Sequence, residues 1–343
     1  MELYNTFSNK KERLVIPSDR PLKLFVCGPT VYDAMHIGHA RTYLVFDTFI
    51  RYMRSQGVRI EYLQNITDID DKIIARARES KLTSQALARK FERLYHRDEA
   101  RLGISSVTAY ARATDAIPFI VDQVTRLREK GCAYLIPGEG YYFDITTFPR
   151  YGMLAKRTVL QAEDSLSRID ESIQKHNKGD FALWKFVQVK GVPSHKKGRM
   201  RVVDGVPAWD TPLGWGRPGW HIEDTAITEH YFGPQYDIHG GALDLLFPHH
   251  EAEIAQQESL SGTPPLARIW MHTGFLLVRG QKMSKSLKNF ITIGDFLARS
   301  RASVLRFLIL SHHYRSPIDY SDTLVSQATQ SLTTLTEFLE KLA

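Results

Sequence analysis

Two strings in this chain have residue types and spacing suited to a nucleotide: His36-Ile37-Gly38-His39 and Lys282-Met283-Ser284-Lys285-Ser286. The first falls in a strand-to-helix turn, where a helix amino terminus offers free N–H groups and its positive dipole end to a phosphate. Two imidazoles one turn apart add donors, and Gly38 lets a ligand come close. The second string places two ammonium groups and two hydroxyls in a loop that also holds Gly280 and Asn289. Such a loop can clamp phosphates and meet charge developing on a transferred phosphoryl. Read singly, the first string also fits a pair of surface histidines and the second a solvated basic loop; together they select the nucleotide reading. Neither GxGxxG nor GxxxxGK[ST] occurs in the chain. A third string, His249-His250-Glu251-Ala252-Glu253, puts His249 and Glu253 at i and i+4, a spacing that lets both reach one ion. Ile254 stands where a zinc protease of the HExxH type needs its second histidine, so that chemistry is excluded.

These strings require elements to hold them. PLKLFVCG reads as a short buried strand ending in a turn. The stretch from Ile37 to Gly57 reads as a helix with Tyr43, Phe46, Ile50 and Met53 on its apolar face and Gly57 as its stop. RIEYLQNIT follows as a second strand, completing the crossover unit of a parallel α/β sheet. Residues 72 to 131 read as mostly helical. YDIHGGALDLLFPHHEAEIAQQES reads as strand, glycine turn, then helix, and RIWMHTGFLLV as one more strand. Between them, short strands and a basic Gly/Pro-punctuated stretch (VKGVPSHKKGRMRVVDGVP) read as an insertion that splits the parallel sheet.

The composition is that of a folded globular chain. Of 343 residues, 43% are hydrophobic and 24% charged, which excludes disorder. The net charge of +7 and pI near 9.2 permit a polyanionic partner without requiring one. No apolar run reaches the roughly 18 residues of a membrane span, and the first residues lack the apolar stretch of a secretory signal. Cys27 and Cys132 form no disulfide framework, so a cytoplasmic protein is expected.

HIGH and KMSKS together are the signature of the class I aminoacyl-tRNA synthetases. FVCGPTVYDAMHIGHARTYLVFD, QNITDIDDKI, GRPGWHIE, DIHGGALDLLFPHHEAEIAQ and KMSKSLKNF make the chain resemble the cysteinyl-tRNA synthetases over almost its whole length. The resemblance implies a Rossmann-like catalytic domain whose first half is residues 1–117 and second half 206–280. A connective module would occupy 118–205, the lysine loop and a stem-contact segment 281–320, and the start of a helical, anticodon-binding type of domain 321–343. It also implies a cysteine–tRNA ligase that forms cysteinyl-adenylate from ATP with magnesium and transfers the cysteinyl group to tRNA(Cys), as a monomer.

Carried over position by position, the resemblance makes His36, His39, Lys282 and Lys285 catalytic. Ile37, Gly38, Met283, Ser284 and Ser286 join them in binding ATP. Cys27, Gly28, Thr67, Trp220 and His239 become the cysteine pocket, with His250 and Glu251 as outer partners of a metal site. The family holds one zinc that grips the substrate thiol; the matching ligands here are Cys27, His249, Glu253 and Asp224. Asp224 stands where the family has a second cysteine, so the site would be harder, with one thiolate in place of two. The other reading of Asp224 is a cap on a helix opening at Thr225. Zinc–thiolate bonding would reject serine without an editing step, since a hydrophobic pocket separates such near-isosteres weakly.

Two further readings concern the acceptor. The family usually continues into a helical bundle that reads the anticodon, whereas this sequence stops at Ala343. A relative that moves cysteine onto a small amine, like the mycothiol cysteine ligases, would also stop short, and a non-catalytic synthetase-like RNA-binding protein is the third possibility. Lys282, Lys285, Lys288, Arg299, Arg301, Arg306 and Arg315 against Asp295 and Asp319 favour an RNA stem. Intact HIGH and KMSKS strings speak against a silent ATP site.

Overall fold

The strand Leu22–Val26 is five apolar-rich residues with almost no exposed surface, and it sits at the centre of a five-stranded parallel sheet. A computed structural model of the chain describes residues 1–157, 172–189, 199–283 and 289–342. The strand order is Ala267–Thr273, Tyr236–Ala242, Leu22–Val26, Ile60–Ile66, Ala109–Arg112, every neighbouring pair being parallel. The chain lays strands outward from Leu22–Val26 on one side, then returns to build the other side. That reversal lies between Leu22–Val26 and Tyr236–Ala242, and an open parallel sheet forms its ligand crevice at the carboxyl ends of the strands flanking such a point.

Successive strand residues point to opposite faces. Leu22, Leu24 and Val26 therefore enter one apolar core, with the helix Ile37–Ser55 and the helix Ala302–Leu310. Phe25 and Cys27 enter the other, with the helices Ile117–Glu129, Ile222–Phe232 and Glu251–Ser261. The alternation that buries Val26 on one side thus turns the Cys27 sulfur toward the helices carrying Asp224 and Glu253.

An antiparallel sheet stands between the two halves, ordered Ala133–Ile136, Gly140–Phe143, Phe181–Phe186, Gly216–Pro218, Val206–Trp209, Met200–Val203. It joins the parallel-sheet unit through Asp71, which accepts Lys185 Nζ at 3.0 Å and pairs closely with Arg217.

Three local readings of the sequence are corrected. Ala109–Arg112 is a four-residue edge strand within the stretch read as helical; AYAR has no β-branched residue, and pairing with Ile60–Ile66 makes it a strand. Gly240 and Gly241 run inside the strand Tyr236–Ala242, against Phe46 and His250, and form no turn. RIWMHTGFLLV is two strands in two sheets: Ala267–Thr273 in the parallel sheet, and Leu276–Val278 between Gln281–Lys282 and Ile318–Tyr320. Arg41 holds this second arrangement. Its buried guanidinium donates to the carbonyls of Phe275 at 2.5 Å, Tyr314 at 3.1 Å and Ser316, tying the Ile37–Ser55 helix to the segment from which the lysine loop springs. The helix Asp322–Leu342 follows. No helix among the described residues is long and apolar enough to cross a membrane.

Candidate functional site

Four donor atoms converge at the end of the Leu22–Val26 strand. Cys27 Sγ lies 3.3 Å from Asp224 Oδ2 and 3.9 Å from Glu253 Oε1. His249 Nε2 lies 3.0 Å from the same Asp224 oxygen and 3.3 Å from Glu253 Oε1. Metal–ligand bonds of about 2.0–2.3 Å in a tetrahedron set its ligands roughly 3.3–3.8 Å apart, so this spacing suits one small divalent ion. The other carboxylate oxygens, Asp224 Oδ1 and Glu253 Oε2, are buried with no hydrogen-bond partner among the described residues, a polar deficit that a cation held by this group would reduce. Burial together with Glu253 and Asp224 pushes the Cys27 thiol well above its ordinary range, and burial beside Asp224 does the same to Glu253. The Cys27 thiol and the Glu253 carboxyl thus hold protons that a metal would displace.

Asp224 sits in the first turn of Ile222–Phe232, two residues past its amino-terminal residue, and reaches toward Cys27. The helix opens at Ile222 with His221 at the cap position, so the capping role at Thr225 is not the one observed. His221 Nδ1 meets His249 Nδ1 at 2.8 Å, which leaves His249 Nε2 free to ligate. A second ring set stands behind the sulfur. His250 Nε2 lies 3.2 Å and His239 Nε2 3.5 Å from Cys27 Sγ, and with Glu253 these make an overlapping four-donor group. Their far nitrogens meet His272 Nε2 and Tyr236 OH. Glu251 points elsewhere, accepting the N–H groups of Gly152, Leu154 and Ala155; burial still pushes its carboxyl up to about 7.

The Cys27–Asp224–His249 face opens into a cavity of about 350 Å³. Gly28, Thr67 and Trp220 line it, whereas His239 is buried behind the sulfur, stacked on Trp270. Trp220 stacks on His249 with ring centres 4.2 Å apart, and the Lys72 ammonium lies over its ring at 5.7 Å. Gly28 is held by Asn65, whose Oδ1 accepts its N–H at 2.5 Å. A side chain there is impossible without movement, because a Cβ would fall 1.7 Å from the Asn65 carbonyl oxygen.

The same cavity is also lined by His36, Gly38, His39, Lys282 and Met283. His36 Nδ1 accepts the N–H groups of Gly38 at 3.0 Å and His39 at 3.3 Å, and His39 Nδ1 accepts that of His36 at 3.3 Å. This reciprocal cap corrects the expectation of free backbone donors. Ile37 N–H is also spent, on the Ile291 carbonyl, and Ala40 N–H on that of His36. With both Nδ1 atoms accepting, both Nε2 atoms carry the hydrogen, and the imidazoles become the donors the helix end presents. Burial, each other's proximity and Lys282 push His36 down to about 2; burial and Lys282 push His39 down to about 4. Both rings are therefore neutral at ordinary pH. Gly38 packs under the His36 ring, where a Cβ would lie 2.8 Å from Nδ1.

Lys282 Nζ pairs with Asp244 Oδ2 at 2.6 Å, and the far end of the lysine loop is pinned where Thr292 bridges His36. Ser284, Lys285 and Ser286 lie outside the described residues. Sequence reasoning missed Asp244, Asn65 and Glu223. The last closes the GWHIE string, yet nothing in the string says that its carboxyl turns toward Asn65 and Thr67.

Residues 14–330 match the family model described as tRNA synthetases class I (C) catalytic domain. The whole chain is 44% identical to the cysteine–tRNA ligase of Thermoplasma acidophilum and covers 72% of that protein. Over 94% of the chain it is 43% identical to the cysteine–tRNA ligase of Pyrococcus furiosus, covering 64% of it. Among solved structures, 90% of the chain superposes on 68% of Mycobacterium tuberculosis methionyl-tRNA synthetase with methionyl-adenylate, at 17% identity and a TM-score of 0.64. A leucyl-tRNA synthetase of Agrobacterium radiobacter, in a ternary complex, gives 0.67 at 10% identity over 95% of the chain and 73% of its own.

Proposed function

The chain belongs to the cysteine–tRNA ligases of the class I synthetases, and from that premise we propose how its cavity divides the reaction. It activates L-cysteine with ATP to cysteinyl-adenylate and passes the cysteinyl group to the 3′ end of tRNA(Cys). One observation carries this reading: a single cavity is lined both by Cys27, Asp224 and His249 and by His36, His39 and Lys282. A thiol held by the first group and a triphosphate held by the second share that one cavity.

Cys27, Asp224, His249 and Glu253 would hold zinc, one ion per chain, and their spacing and unpartnered oxygens fit it. Zinc there would bind the substrate sulfur as thiolate and so favour cysteine over serine. Trp220 covers the cluster and, with Gly28 and Thr67, forms the wall for the rest of the amino acid. His239 acts from behind, orienting the sulfur of Cys27.

His36 and His39 donate Nε2–H to phosphate oxygens without adding charge, and Lys282 and Lys285 bring the cations, alongside the magnesium that travels with ATP. A cysteine carboxylate oxygen attacks the α-phosphorus and pyrophosphate leaves. Here the residues mainly position the reactants and stabilise charge. The terminal ribose hydroxyl of tRNA then takes the acyl carbon and AMP departs. Arg299, Arg301 and the neighbouring basic positions suit the acceptor stem. The protein works in the cytoplasm.

Amino-acid-dependent ATP–pyrophosphate exchange, cysteine beside serine, with metal content measured on the same sample, tests the reading. Exchange with cysteine alone and about one zinc per chain is expected. No exchange, or equal exchange with serine, overturns it.

A further inference from the structure

Among the described residues two lysines line the cavity, and they differ in what they meet. Lys282 pairs with Asp244 at 2.6 Å, whereas Lys72 has no carboxylate partner among the described residues. The acids beside Lys72 in sequence are engaged elsewhere. Asp70 Oδ1 accepts the backbone N–H of Lys72 at 2.8 Å, and Asp71 takes Lys185 and Arg217 of the antiparallel sheet. Two aromatic rings hold the ammonium instead, Trp220 at 5.7 Å and Tyr32 at 5.9 Å from its nitrogen. A ring face attracts a cation through its quadrupole but carries no net charge, so the ammonium stays available to an anion.

Lys72 is exposed and also lines the cavity, which sets it where the cavity meets solvent. Three anions take part in the proposed reaction. The triphosphate has His36, His39 and Lys282 to receive it. The cysteine carboxylate is the attacking group of the first step, and a cation that favours it before the attack raises the barrier. A phosphodiester near the 3′ end of tRNA keeps its charge throughout the transfer, and its strand passes the cavity mouth to bring the ribose hydroxyl inside. Single-stranded nucleic acid is bound by cationic side chains set among aromatic rings.

We propose that Lys72 receives a backbone phosphate of the single-stranded 3′ end of tRNA, beside Tyr32 and Trp220, as the terminal ribose enters the cavity. The proposal rests on the tRNA-charging reading above and deepens it by naming a residue that places the acceptor. Trp220 links the two steps: it stacks on His249 at 4.2 Å and has the Lys72 ammonium over its ring, so a wall of the cysteine pocket borders the path of the acceptor. The contact makes and breaks no covalent bond; it positions the hydroxyl for the transfer.

The test measures tRNA(Cys) binding by the zinc-loaded full chain, with cysteine-dependent pyrophosphate exchange on the same samples. Lys72→Gln is expected to weaken binding by about 5–10-fold. It also flattens the slope of log affinity against log salt by about 0.7, the share of one phosphate on a single strand. Lys72→Arg keeps the wild-type affinity and slope. Exchange, which needs no RNA, changes in kcat and in KM for cysteine by less than about twofold. Shortened tRNA(Cys), lacking its last three nucleotides, binds wild type and Lys72→Gln equally. Equal affinity for intact tRNA, an unchanged salt slope, or the same loss with shortened tRNA overturns the proposal. So does a rise in the KM for cysteine as large as the loss of tRNA affinity, which would give Lys72 to the carboxylate. If the wild type shows no exchange, the activity reading fails by itself, and the binding comparison still decides the role of Lys72. A wild type that binds no tRNA overturns the proposal together with the transfer step.

Discussion

Cys27 Sγ and Asp224 Oδ2 stand 3.3 Å apart across 197 positions of sequence, with the aspartate fully shielded from water. A cation between them would explain why two such groups share a dry site. Asp224→Ala should therefore lower zinc affinity by about two orders of magnitude or more, measured by chelator competition. Asp224→Cys should tighten zinc by restoring a second thiolate. Equal affinity in all three proteins would remove Asp224 from the ligand set.

The HIGH imidazoles are neutral donors. With His36 at about 2 and His39 at about 4, neither contributes an inflection to the rate of pyrophosphate exchange between pH 6 and 8. His39→Ala should lower kcat by about 10²–10³, as the loss of one positioned donor does. An exchange profile that tracks a group near 6.5 and loses that inflection in the His39 variant would show the ring to be charged.

The same shifts set a stability trend. An imidazole held neutral in the fold but free to ionise in the unfolded chain contributes fully above its ordinary pKa of 6.5. That contribution is lost as pH falls toward the folded value. Urea midpoints should therefore be level from pH 8 to 7 and fall from about 6.5 downward, at roughly 1 kcal/mol per pH unit for each such group. Buried His272, pushed down to about 3, adds to the slope.

Lys285 is expected to act when charge develops on the transferred phosphoryl. Lys285→Ala should slow adenylation by orders of magnitude while cysteine affinity, measured by protection against heat, changes by less than about threefold. An unchanged rate would remove the role.

Gly28→Ala forces a methyl into the Asn65 carbonyl. The ends of Leu22–Val26 and Ile60–Ile66 must separate, which should cost about 3 kcal/mol or more in a urea titration and weaken cysteine binding at the same time.

The sequence by itself determined what depends on short range and on residue type. The apolar run LKLFV, the 3.6-residue periodicity from Tyr43 to Met53 and the stop at Gly57 write the β-α-β unit into contiguous residues, and the HIGH and KMSKS strings announce nucleotide chemistry within five residues each. His249 and Glu253 were legible as a pair from their i, i+4 spacing, although His249 stands in the short turn Leu246–His250 that leads into the helix Glu251–Ser261, 3.3 Å from Glu253. Tertiary structure decided everything that required distant segments to meet. AYAR becomes a strand only because Ile60–Ile66 offers it a ladder. That Asp224 faces Cys27 and caps no helix at Thr225 could be seen only once the helix was found to open at Ile222 and the pleat of Leu22–Val26 turned Cys27 toward it. Nor could the first-turn amides of the HIGH helix be known to be taken, since that follows from how two imidazoles fold back and from the Ile291 carbonyl. Glu223 stayed invisible for the same physical reason. A carboxylate's meaning lies in what it faces, and its partners, Asn65 and Thr67, are more than 150 residues away.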